Sequence, residues 1–456
     1  MVDWLADYFE HVGDYPVTPP VTPGEILSHL PDTPPRDGED MDTILRDYRE
    51  IILPGMSHWQ HPGWFAYFPA NNSPPSVLAE ILTAGLGAQC MSWITSPAAT
   101  ELEERMMEWL RDMIGLPAHM SGVIQDTAST ATLCALLSAR ERATDFTTND
   151  RGMHAGLTVY ASTQTHSSIE KGVRIAGFGK HHLRLVAVDD AYAMNPEALR
   201  KAIVEDMERG KKPACVVATL GTTSSMAMDP LEPISAICRE YGIWLHVDAA
   251  FAGTAAIHPG HRWFMKGVEA CDSFVFNPHK WMLTNFDCSA YFVRDPDTLL
   301  QTLSMDPEYL KTSADKQVKN YRDWGIQLGR RFRALKLWFV IRSYGVRGIA
   351  DMVDRHIGMA RDFAAWLEAD ERFELLAPRQ LSLVCFRYKQ DQLPEEELDR
   401  LNRRLLDTIN ASGKVFMSHT QLGGRFCLRL SVGQATTSEE HLQQAWQIIS
   451  EAAGAL

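Results

Sequence analysis

An aspartate and a lysine each stand at the end of a short apolar run, within residues 243–248 and 273–281. Both runs are rich in β-branched and aromatic residues, which predicts two buried parallel strands. Ionisable residues just beyond neighbouring buried strands are a common way for α/β proteins to build a site. Lys280 can bond covalently to an aldehyde, and Asp248 can pair with a protonated pyridine nitrogen. These are the partners that pyridoxal 5'-phosphate (PLP) requires from a protein.

Further small polar residues follow other predicted strands. Residues 121–133 read as a strand, a turn and the start of a helix. Free N–H groups and hydroxyls at a helix N-terminus suit a phosphate group, although an ordinary helix cap explains the same residues. His166 and Thr223 lie in loops that leave the predicted sheet on the same side as Asp248, so they are candidate site residues. The candidate phosphate contacts at the turn are Thr127, Ala128 and Ser129.

Short strand-like runs alternate with helical patterns between residues 157 and 293. This alternation predicts an α/β fold with a mainly parallel sheet and helices on both of its faces. No Gly-x-Gly-x-x-Gly follows any of the runs, so the sequence lacks the fingerprint of a nicotinamide-dependent enzyme. The predicted strands cover residues 157–161, 183–188, 215–220, 243–247, 273–276 and 288–293.

The chain after about residue 350 has helical segments separated by three strand-like runs. This pattern predicts a smaller α+β domain packed on the first one. Its predicted strands are residues 381–388, 415–419 and 426–432. We expect three units in all: an N-terminal helical and dimerisation segment (1–85), a large cofactor-binding domain (86–345) and a small C-terminal domain (346–456).

Three irregular segments are candidates for binding. The N-terminal arm combines an amphipathic helix (1–15) with a proline-dense stretch (16–35) that predicts no regular structure. This arm either crosses a partner subunit or folds onto its own chain. An aromatic cluster follows, and its side chains either face a substrate or pack in the core. Residues 303–331 are polar and poorly periodic, which predicts a long functional loop that contains Tyr309.

Composition excludes several classes of partner. The 456 residues carry a formal net charge of −14, which argues against nucleic acid and anionic membranes. No apolar run approaches the length of a membrane span, and the first residues lack the basic region of a secretory signal. The 8 cysteines form no Cys-x-x-Cys pair, so we expect buried free thiols, a cytoplasmic location and no zinc site.

With these residues placed, the sequence resembles the group II PLP-dependent decarboxylases, and most of all their aromatic L-amino acid decarboxylase branch. The resemblance covers nearly the whole chain, and its motifs occur in the family's order. It implies the type I (aspartate aminotransferase-like) PLP fold, and a homodimer with active sites at the subunit interface. The motifs are HWQHPGWFAYFP (58–69), SPAATELEE (96–104), GVIQDTAS (122–129), ATLGTT (218–223), WLHVDAA (244–250), FNPHKW (276–281), NFDCSA (285–290), DPEYLK (306–311) and LGRRFRALK (328–336).

The resemblance also implies roles for individual residues. Lys280 is expected to hold the PLP aldehyde, Asp248 to pair with the ring nitrogen, and His166 to stack on the ring. Tyr309 matches the mobile-loop tyrosine that the family associates with proton transfer to the substrate carbon. The further implied cofactor contacts are Ala128, Ser129, Thr223, Asn277 and His279. The implied substrate pocket consists of Trp59, Tyr67, Phe68, Ala70, Met91 and Gly329.

The sequence departs from animal members of the family at several positions. Asp126 and Thr127 replace Gly-Ser, and an acid beside a phosphate is unfavourable, so we expect Asp126 to cap the helix instead. Ala70 replaces a threonine, and Asn71 or Asn72 is a candidate substitute for its hydroxyl. These differences bear on the identity of the substrate more than on the type of reaction.

The implied reaction is PLP-dependent decarboxylation of an aromatic L-amino acid to its arylalkylamine and CO2. Tryptophan, phenylalanine, tyrosine and DOPA all stay open. Gly329 matches a position where plant relatives carry Gly with indolic substrates and Ser with phenolic ones, while animal relatives with Gly accept DOPA. A glutamate decarboxylase would need a basic pocket, which the aromatic cluster argues against.

Two alternatives concern the reaction itself. An aromatic acetaldehyde synthase decarboxylates and oxidatively deaminates, and that branch typically has Phe for the loop tyrosine or Asn for the stacking histidine. Tyr309 and His166 are the decarboxylase residues at both positions. A catalytically inactive homologue should have lost Lys280 or Asp248, and both are present.

Overall fold

The computed structural model describes residues 1–153, 156–305, 308–310, 314 and 317–456. A seven-stranded and a four-stranded sheet organise these residues. None of the described helices is long and apolar enough to cross a membrane. The helices are α1 Val2–His11, α2 Glu25–His29, α3 Met41–Asp47, α4 Pro74–Leu86, α5 Pro97–Ile114, α6 Ala128–Ala143, α7 Thr148–Arg151, α8 Ser167–Ile175, α9 Pro196–Glu208, α10 Leu231–Tyr241, α11 Pro278–Trp281, α12 Pro296–Leu303, α13 Arg333–Ala369, α14 Glu395–Ala411 and α15 Glu439–Gly454. The strands are β1 Ser121–Gln125, β2 Leu157–Ser162, β3 Leu183–Val186, β4 Lys212–Thr219, β5 Trp244–Asp248, β6 Ser273–Phe276, β7 Ser289–Val293, β8 Phe373–Leu375, β9 Leu383–Tyr388, β10 Ser418–Leu422 and β11 Arg425–Ser431.

The larger sheet has the strand order β1-β7-β6-β5-β4-β2-β3. The pairs that join β3, β2, β4, β5 and β6 are all parallel. Strand β7 runs antiparallel to both of its neighbours, β6 and β1, so β1 points the same way as the parallel strands. The predicted mainly parallel sheet is confirmed. Six strands, β1 to β6, therefore end at the same edge.

Helices cover both faces of this sheet, as predicted, and β4 shows why. Successive side chains of a strand point to opposite faces. Val216 and Ala218 belong to a core cluster with residues of α9 and α10, such as Leu199 and Ile234. The intervening Val217 packs in a second cluster with residues of α6 and α8. A strand buried on both sides reads as a continuous apolar run, which is the pattern seen in the sequence.

The smaller sheet has the order β10-β11-β9-β8, and all of its pairs are antiparallel. Its core is shared with α14, α15 and the later part of α13, which confirms the smaller α+β unit. The predicted strand at 415–419 is wrong, because the strand begins at Ser418. Phe416 instead exchanges backbone hydrogen bonds with Gly63 and Phe65, so this segment pairs with the chain beyond the N-terminal arm. Strand β8 was not predicted.

Helix α1 forms as predicted, but the prediction of no regular structure over 16–35 is wrong at one place. Helix α2 occupies residues 25–29, which lie in a proline-free gap between Pro23 and Pro31. Glu25 begins it and accepts hydrogen bonds from the amide and hydroxyl of Thr22, each 2.9 Å long. Proline destabilises a helix only where it falls inside one, so a short gap suffices for one turn.

The chain from 304 to 332 is irregular in its described part, where only two short 3-10 turns occur, at Glu308–Leu310 and Tyr321–Trp324. This agrees with the predicted long loop. The motif DPEYLK extends beyond the described residues at 306–307 and 311. Helix α13 follows the loop and bends at Gly345, whose φ of 68° is not helical.

Candidate active site

Five strands of the large sheet send their carboxyl ends to one cleft with a volume of ≈ 250 Å³. Burial and the shared strand direction make this convergence unavoidable, since parallel strands place their ends at the same edge. All eight predicted cofactor contacts line the cleft. By strand exit they are Ala128 and Ser129 after β1, His166 after β2, Thr223 after β4, Asp248 at the end of β5, and Asn277, His279 and Lys280 after β6.

Asp248, at the end of β5, and Lys280, shortly after the neighbouring strand β6, both face the cleft. Lys280 lies on the short helix α11, half-buried, with its Nζ 5.4 Å from the ring centre of Phe68. Burial lowers the pKa of its ammonium group, and the Asp248 carboxylate opposes this effect. The Asp248 side chain is buried and accepts a 3.0 Å hydrogen bond from the Ala250 amide. A lysine with a lowered pKa more readily provides the neutral amine that bonds to an aldehyde.

His166 is the N-cap residue of α8, which fixes its ring beside the cleft. Its Nδ1 accepts hydrogen bonds from the Ser168 amide (3.2 Å) and the Ser168 hydroxyl (2.8 Å), so the proton of the neutral ring is on Nε2. Desolvation lowers the pKa of His166; Asp248 raises it and Lys280 lowers it further. A neutral, flat imidazole is therefore available against whatever fills the cleft.

Helix α6 begins in the cleft. Thr127 is its N-cap, and the Thr127 hydroxyl accepts from the Thr130 amide at 3.4 Å. Ala128 and Ser129 are the first helical residues, whose amides have no acceptor within the helix and can bind an anion. The prediction that Asp126 caps this helix is wrong. Its carboxylate instead accepts a 2.6 Å hydrogen bond from the Thr127 amide, one residue before the helix.

These residues fit PLP. The cleft combines an amine for the aldehyde, a carboxylate for the ring nitrogen, a flat neutral ring for the pyridine face and a helix N-terminus for the phosphate. The Thr219 hydroxyl, also at the cleft, is buried without a hydrogen-bond partner among the described residues. Such an unsatisfied group is costly unless a bound molecule completes it.

A stack of three rings forms one wall of the cleft and continues into the core. The planes of Phe68 and Phe251 are 4° apart with centroids at 4.2 Å, and those of Phe251 and Trp281 are 6° apart at 4.5 Å. The ring of His356 on α13 lies beside Trp281, with the two planes 4° apart and the centroids at 6.3 Å. The indole N–H of Trp281 donates to Nδ1 of His356 at 2.9 Å. Because Trp281 is the residue after Lys280, the stack and this hydrogen bond tie the lysine to three other parts of the chain.

A family model, the pyridoxal-dependent decarboxylase conserved domain, matches residues 23–389. The chain belongs to this family. Its cofactor is therefore PLP, and the enzyme is a PLP-dependent carboxy-lyase, as the sequence predicts.

Named relatives of this decarboxylase match along its whole length. It is 44% identical to phenylacetaldehyde synthase of Arabidopsis thaliana, over 100% of this chain and 95% of that protein. It is also 44% identical to tryptophan decarboxylase 2 of Oryza sativa subsp. japonica, over 99% of this chain and 93% of that protein. The crystal structure of Catharanthus roseus tryptophan decarboxylase in complex with L-tryptophan has a TM-score of 0.94 at 40% identity, covering 100% of this chain and 96% of that one. The type I PLP fold is confirmed.

The predicted substrate residues of the decarboxylase are mostly outside the cleft. Phe68 lines it, but Trp59 and Tyr67 stack on each other at 5.9 Å in a separate cluster with Trp64 and Phe416. Tyr67 is 52% exposed. Some members of the aromatic cluster therefore pack in the core and others are exposed, so each of the two interpretations applies to different members of the cluster.

Three other predicted residues do not line the cleft. They are Ala70, the half-buried Met91 and the exposed Gly329, and the last two belong to a patch formed by two hydrogen-bonded chain segments. The patch is held by the bond from the Cys90 amide to the Arg330 carbonyl (2.9 Å) and by Gln89, whose Oε1 accepts from the Arg330 amide at 2.7 Å. We call residues 89–91 with 329–330 the outer patch.

Tyr309 also lies outside the cleft. It sits in the 3-10 turn Glu308–Leu310 and is 77% exposed. The structure thus gathers the cofactor contacts and leaves the proton-transfer candidate at a distance.

Asn71 does not replace the hydroxyl missing at Ala70. It is buried, and its amide donates to the carbonyls of Lys280 (2.8 Å) and Gly433 (2.6 Å) while its Oδ1 accepts from the Ala435 amide (2.9 Å). All three hydrogen bonds are made with backbone groups of the protein, so the polar atoms of the side chain are not available to a substrate. Asn71 instead anchors the turn that carries Lys280.

Sequence reasoning missed two kinds of site residue. Gly221 lines the cleft with φ of +84°, and an added Cβ would lie 2.8 Å from the Cβ of Ala252, so only glycine fits. Arg429 on β11 is buried with its guanidinium 5.5 Å from the Phe68 ring, and its Nη2 has no acceptor among the described residues. A buried guanidinium of this kind can bind a carboxylate. The signal was a charged residue inside an apolar strand run.

Proposed function

We propose that this decarboxylase converts an aromatic L-amino acid to its arylalkylamine and CO2. The observation that carries the proposal is the aromatic wall formed by Phe68 and Phe251 beside Lys280 and Asp248. The face of Phe68 that is turned away from Phe251 is a flat apolar surface beside the reactive lysine, and it suits an aromatic side chain better than a carboxylate-bearing one. Relatives named as tryptophan decarboxylases support the same substrate class.

Bound PLP supplies an electron sink for the electron pair of the broken bond between the substrate Cα and its carboxylate. Asp248 keeps the ring nitrogen protonated, because a nearby negative charge raises the pKa of its partner. Lys280 would hold the aldehyde of PLP, because burial lowers the pKa of its ammonium group and makes the neutral amine more available. His166 supports the ring face, and Arg429 provides a positive charge for the substrate carboxylate.

Proton delivery to Cα belongs to Tyr309 in this proposal. Its phenol is exposed and outside the cleft, so the loop that carries it must move to complete the site. Closure would also keep water and oxygen from the reacting carbon. Tyr309→Phe is then expected to lower amine formation and to divert product toward aldehyde and H2O2, as measured together on one sample. An unchanged amine yield would remove Tyr309 from this role.

We further propose a homodimer in which one chain completes the cleft of the other. Helix α4 exposes a row of apolar side chains, which a folded chain rarely leaves to water. The outer patch does not line the cleft of its own chain, so it is available to a partner in this proposal. The row consists of Leu78 (49% exposed), Ile81 (45%), Leu82 (51%) and Leu86 (68%).

Mixing two inactive variants tests this arrangement. Lys280→Ala removes the reactive amine from one chain, and Met91→Asp disturbs the outer patch of the other. If sites combine residues of both chains, refolded mixtures recover amine formation that neither variant shows alone. No recovery, with dimers present by light scattering, would place Met91 in its own chain's site. Leu82→Asp should give monomers, whereas an unchanged mass would exclude α4 as the interface.

Two finer assignments complete the proposal. The eight cysteines are all free and buried, which supports a reducing, cytoplasmic location.

The bend of α13 at Gly345 supports the division of the chain at 345 and 346, and α4 belongs to the predicted dimerisation segment at 1–85.

A product assay with the PLP-loaded enzyme decides between the two candidate reactions. The second candidate, an aromatic acetaldehyde synthase, is favoured by the 44% identity to a phenylacetaldehyde synthase. Tryptophan, phenylalanine, tyrosine, DOPA and glutamate are tested while amine, aldehyde and H2O2 are followed. Amine with little peroxide from an aromatic substrate is expected. Stoichiometric aldehyde and peroxide would establish the synthase, and activity on glutamate alone would overturn the substrate class.

A further inference from the structure

Two histidines and an aspartate meet on the surface, outside the PLP cleft. His258 is the N-cap of the 3-10 helix Pro259–Met265, and His261 follows three positions later. Side chains three apart on a 3-10 helix eclipse one another, and the two imidazole centres are 4.8 Å apart. Asp354 approaches from α13, with its Oδ1 2.9 Å from Nε2 of His261. One nitrogen or oxygen from each residue lies within 4.8 Å of the others.

An ordinary ion pair accounts for only part of this arrangement. His261 and Asp354 have the geometry of such a pair, and a pair of this kind near the surface contributes little to stability. It does not account for the second imidazole, that of His258, which forms no ion pair with a carboxylate among the described residues. The Nδ1 of His258 accepts a 3.1 Å hydrogen bond from the Gly260 amide of its own turn. Two imidazoles and a carboxylate that converge from two elements are a recognised donor set for a metal ion.

We propose that His258, His261 and Asp354 bind a divalent transition-metal ion such as Zn²⁺. Imidazole nitrogens favour Zn²⁺, Co²⁺ and Ni²⁺ over Mg²⁺ or Ca²⁺, which prefer oxygen ligands. Coordination at about 2.0–2.2 Å would require the three side chains to draw together slightly from their present spacing. Because the ligands are half-exposed and His258 must exchange one hydrogen bond, the site should saturate at micromolar rather than nanomolar metal.

The surroundings leave room for the remaining coordination positions. His261 and Asp354 border a cavity of ≈ 730 Å³, large enough for bound water. Three other carboxylates line the same cavity and favour a cation: Asp362, Glu439 and Glu440. Two arginines, Arg355 and Arg361, also line it and oppose a cation. The direct ligands must therefore supply most of the binding free energy.

The metal would act as a clamp between two elements of the fold. The 3-10 helix follows β5, which ends at Asp248, whereas Asp354 belongs to α13. Two positions further along α13, His356 holds the indole of Trp281 beside Lys280. A metal bound only to the folded chain raises its stability by mass action. The expected effect is on unfolding temperature, and it does not depend on which amino acid the enzyme decarboxylates.

The test uses PLP-loaded enzyme freed of metal by a chelator and then dialysed. Co²⁺ is added while visible d–d absorption is followed, and Zn²⁺ binding is measured by calorimetry in a buffer that does not bind metals. We expect one ion per chain and a higher unfolding temperature with Zn²⁺. His258→Ala, His261→Ala and Asp354→Asn should each weaken Zn²⁺ binding by at least about tenfold, the usual loss of a metal contact.

Matched variants separate this site from general binding to histidines, of which the chain has 16. His29→Ala removes an exposed histidine of α2 and should leave the affinity unchanged. Asp362→Asn removes a carboxylate that lines the same cavity without being a ligand, and it should weaken binding far less than the loss of any of the three ligands. If His261→Ala does not fold, His258→Ala decides, because that ring holds only one local amide. Zn²⁺ binding that is absent, or equally strong in all ligand variants, would overturn the proposal.

Discussion

The cofactor contacts and the predicted substrate contacts of this decarboxylase, which form its cofactor side and its substrate side, lie on different kinds of structure. The cofactor contacts stand at the ends of buried parallel strands and meet within one chain. The predicted substrate contacts stand on irregular segments, and Tyr67, Gly329 and Tyr309 are exposed. The cofactor contacts are therefore positioned by the core of the fold, whereas in the proposed function selectivity depends on surface segments that a moving loop or a second chain completes.

The largest expected effect is at the reactive lysine. Lys280→Ala should lower amine formation by more than about 10³-fold for every aromatic substrate, within the range for a positioned acid–base or nucleophilic group. Lys266→Ala, which removes an exposed lysine paired with Glu232, is the control and should be neutral. Amine formation and PLP absorbance check both variants. Substantial remaining activity in Lys280→Ala would contradict the assignment of the cofactor side.

A substitution on the substrate side should instead change the enzyme's preference between two substrates. In Gly329→Ser the new Cβ would lie 3.1 Å from Nε2 of Gln89, so the serine reshapes the outer patch. The ratio of kcat/KM for tryptophan to that for tyrosine should fall by about tenfold, the lower end of what one small group decides in a pocket. Gly348→Ser, on α13, should leave the ratio unaltered. An equal fall for both substrates would assign Gly329 to the general chemistry.

The ring stack links the two sides, and its loss should cost stability more than turnover. Trp281→Phe keeps the stacked ring but leaves Nδ1 of buried His356 without its donor. An unsatisfied buried group costs about 1–3 kcal/mol of unfolding free energy. Trp263→Phe, at a 54% exposed tryptophan, provides the comparison. Urea unfolding of the PLP-loaded enzymes measures the difference, and equal stability of the two variants would show that the bond contributes nothing.

A further expected effect, on the whole chain and not on one variant, is a pH dependence from buried histidines. Burial lowers the pKa of His246, His279 and His356 to about 3 each. The unfolded chain binds protons below about pH 6.5 and the folded chain does not, so stability is complete above 6.5 and falls as the pH drops toward 3. Each histidine contributes at most about 1.4 kcal/mol per pH unit. Unfolding free energies equal at pH 7.5 and 5.5 would mean that these rings are accessible to protons.

The framework of the decarboxylase was readable from sequence because its strands are buried on both faces. Such strands appear as short apolar runs, and the residues after them are drawn to one sheet edge, as Asp248, Asn277 and Lys280 show. Local chemistry was less predictable. Asp126 and Thr127 are both good capping residues, and only the backbone geometry decides between them.

Contacts between segments remote in sequence were beyond prediction. The local sequence pattern does not indicate that Phe416 pairs with residues 63–65 instead of a neighbouring strand. It also does not indicate that the side-chain amide of Asn71 donates a hydrogen bond to the carbonyl of Lys280. The proposed metal ligands His258 and Asp354 were missed for the same reason. A His-x-x-His spacing is visible in the sequence, but its carboxylate comes from another helix.

The eight buried cysteines give this protein a set of internal reporters. A thiol reagent can modify a buried cysteine only when the surrounding structure opens, so the rate of alkylation measures that opening. Cys90 would report on the outer patch, Cys134 on α6, which begins at the candidate phosphate contacts, and Cys427 on the smaller sheet. Mass spectrometry of timed labelling would then show which region loosens first when PLP is removed, without any engineered probe.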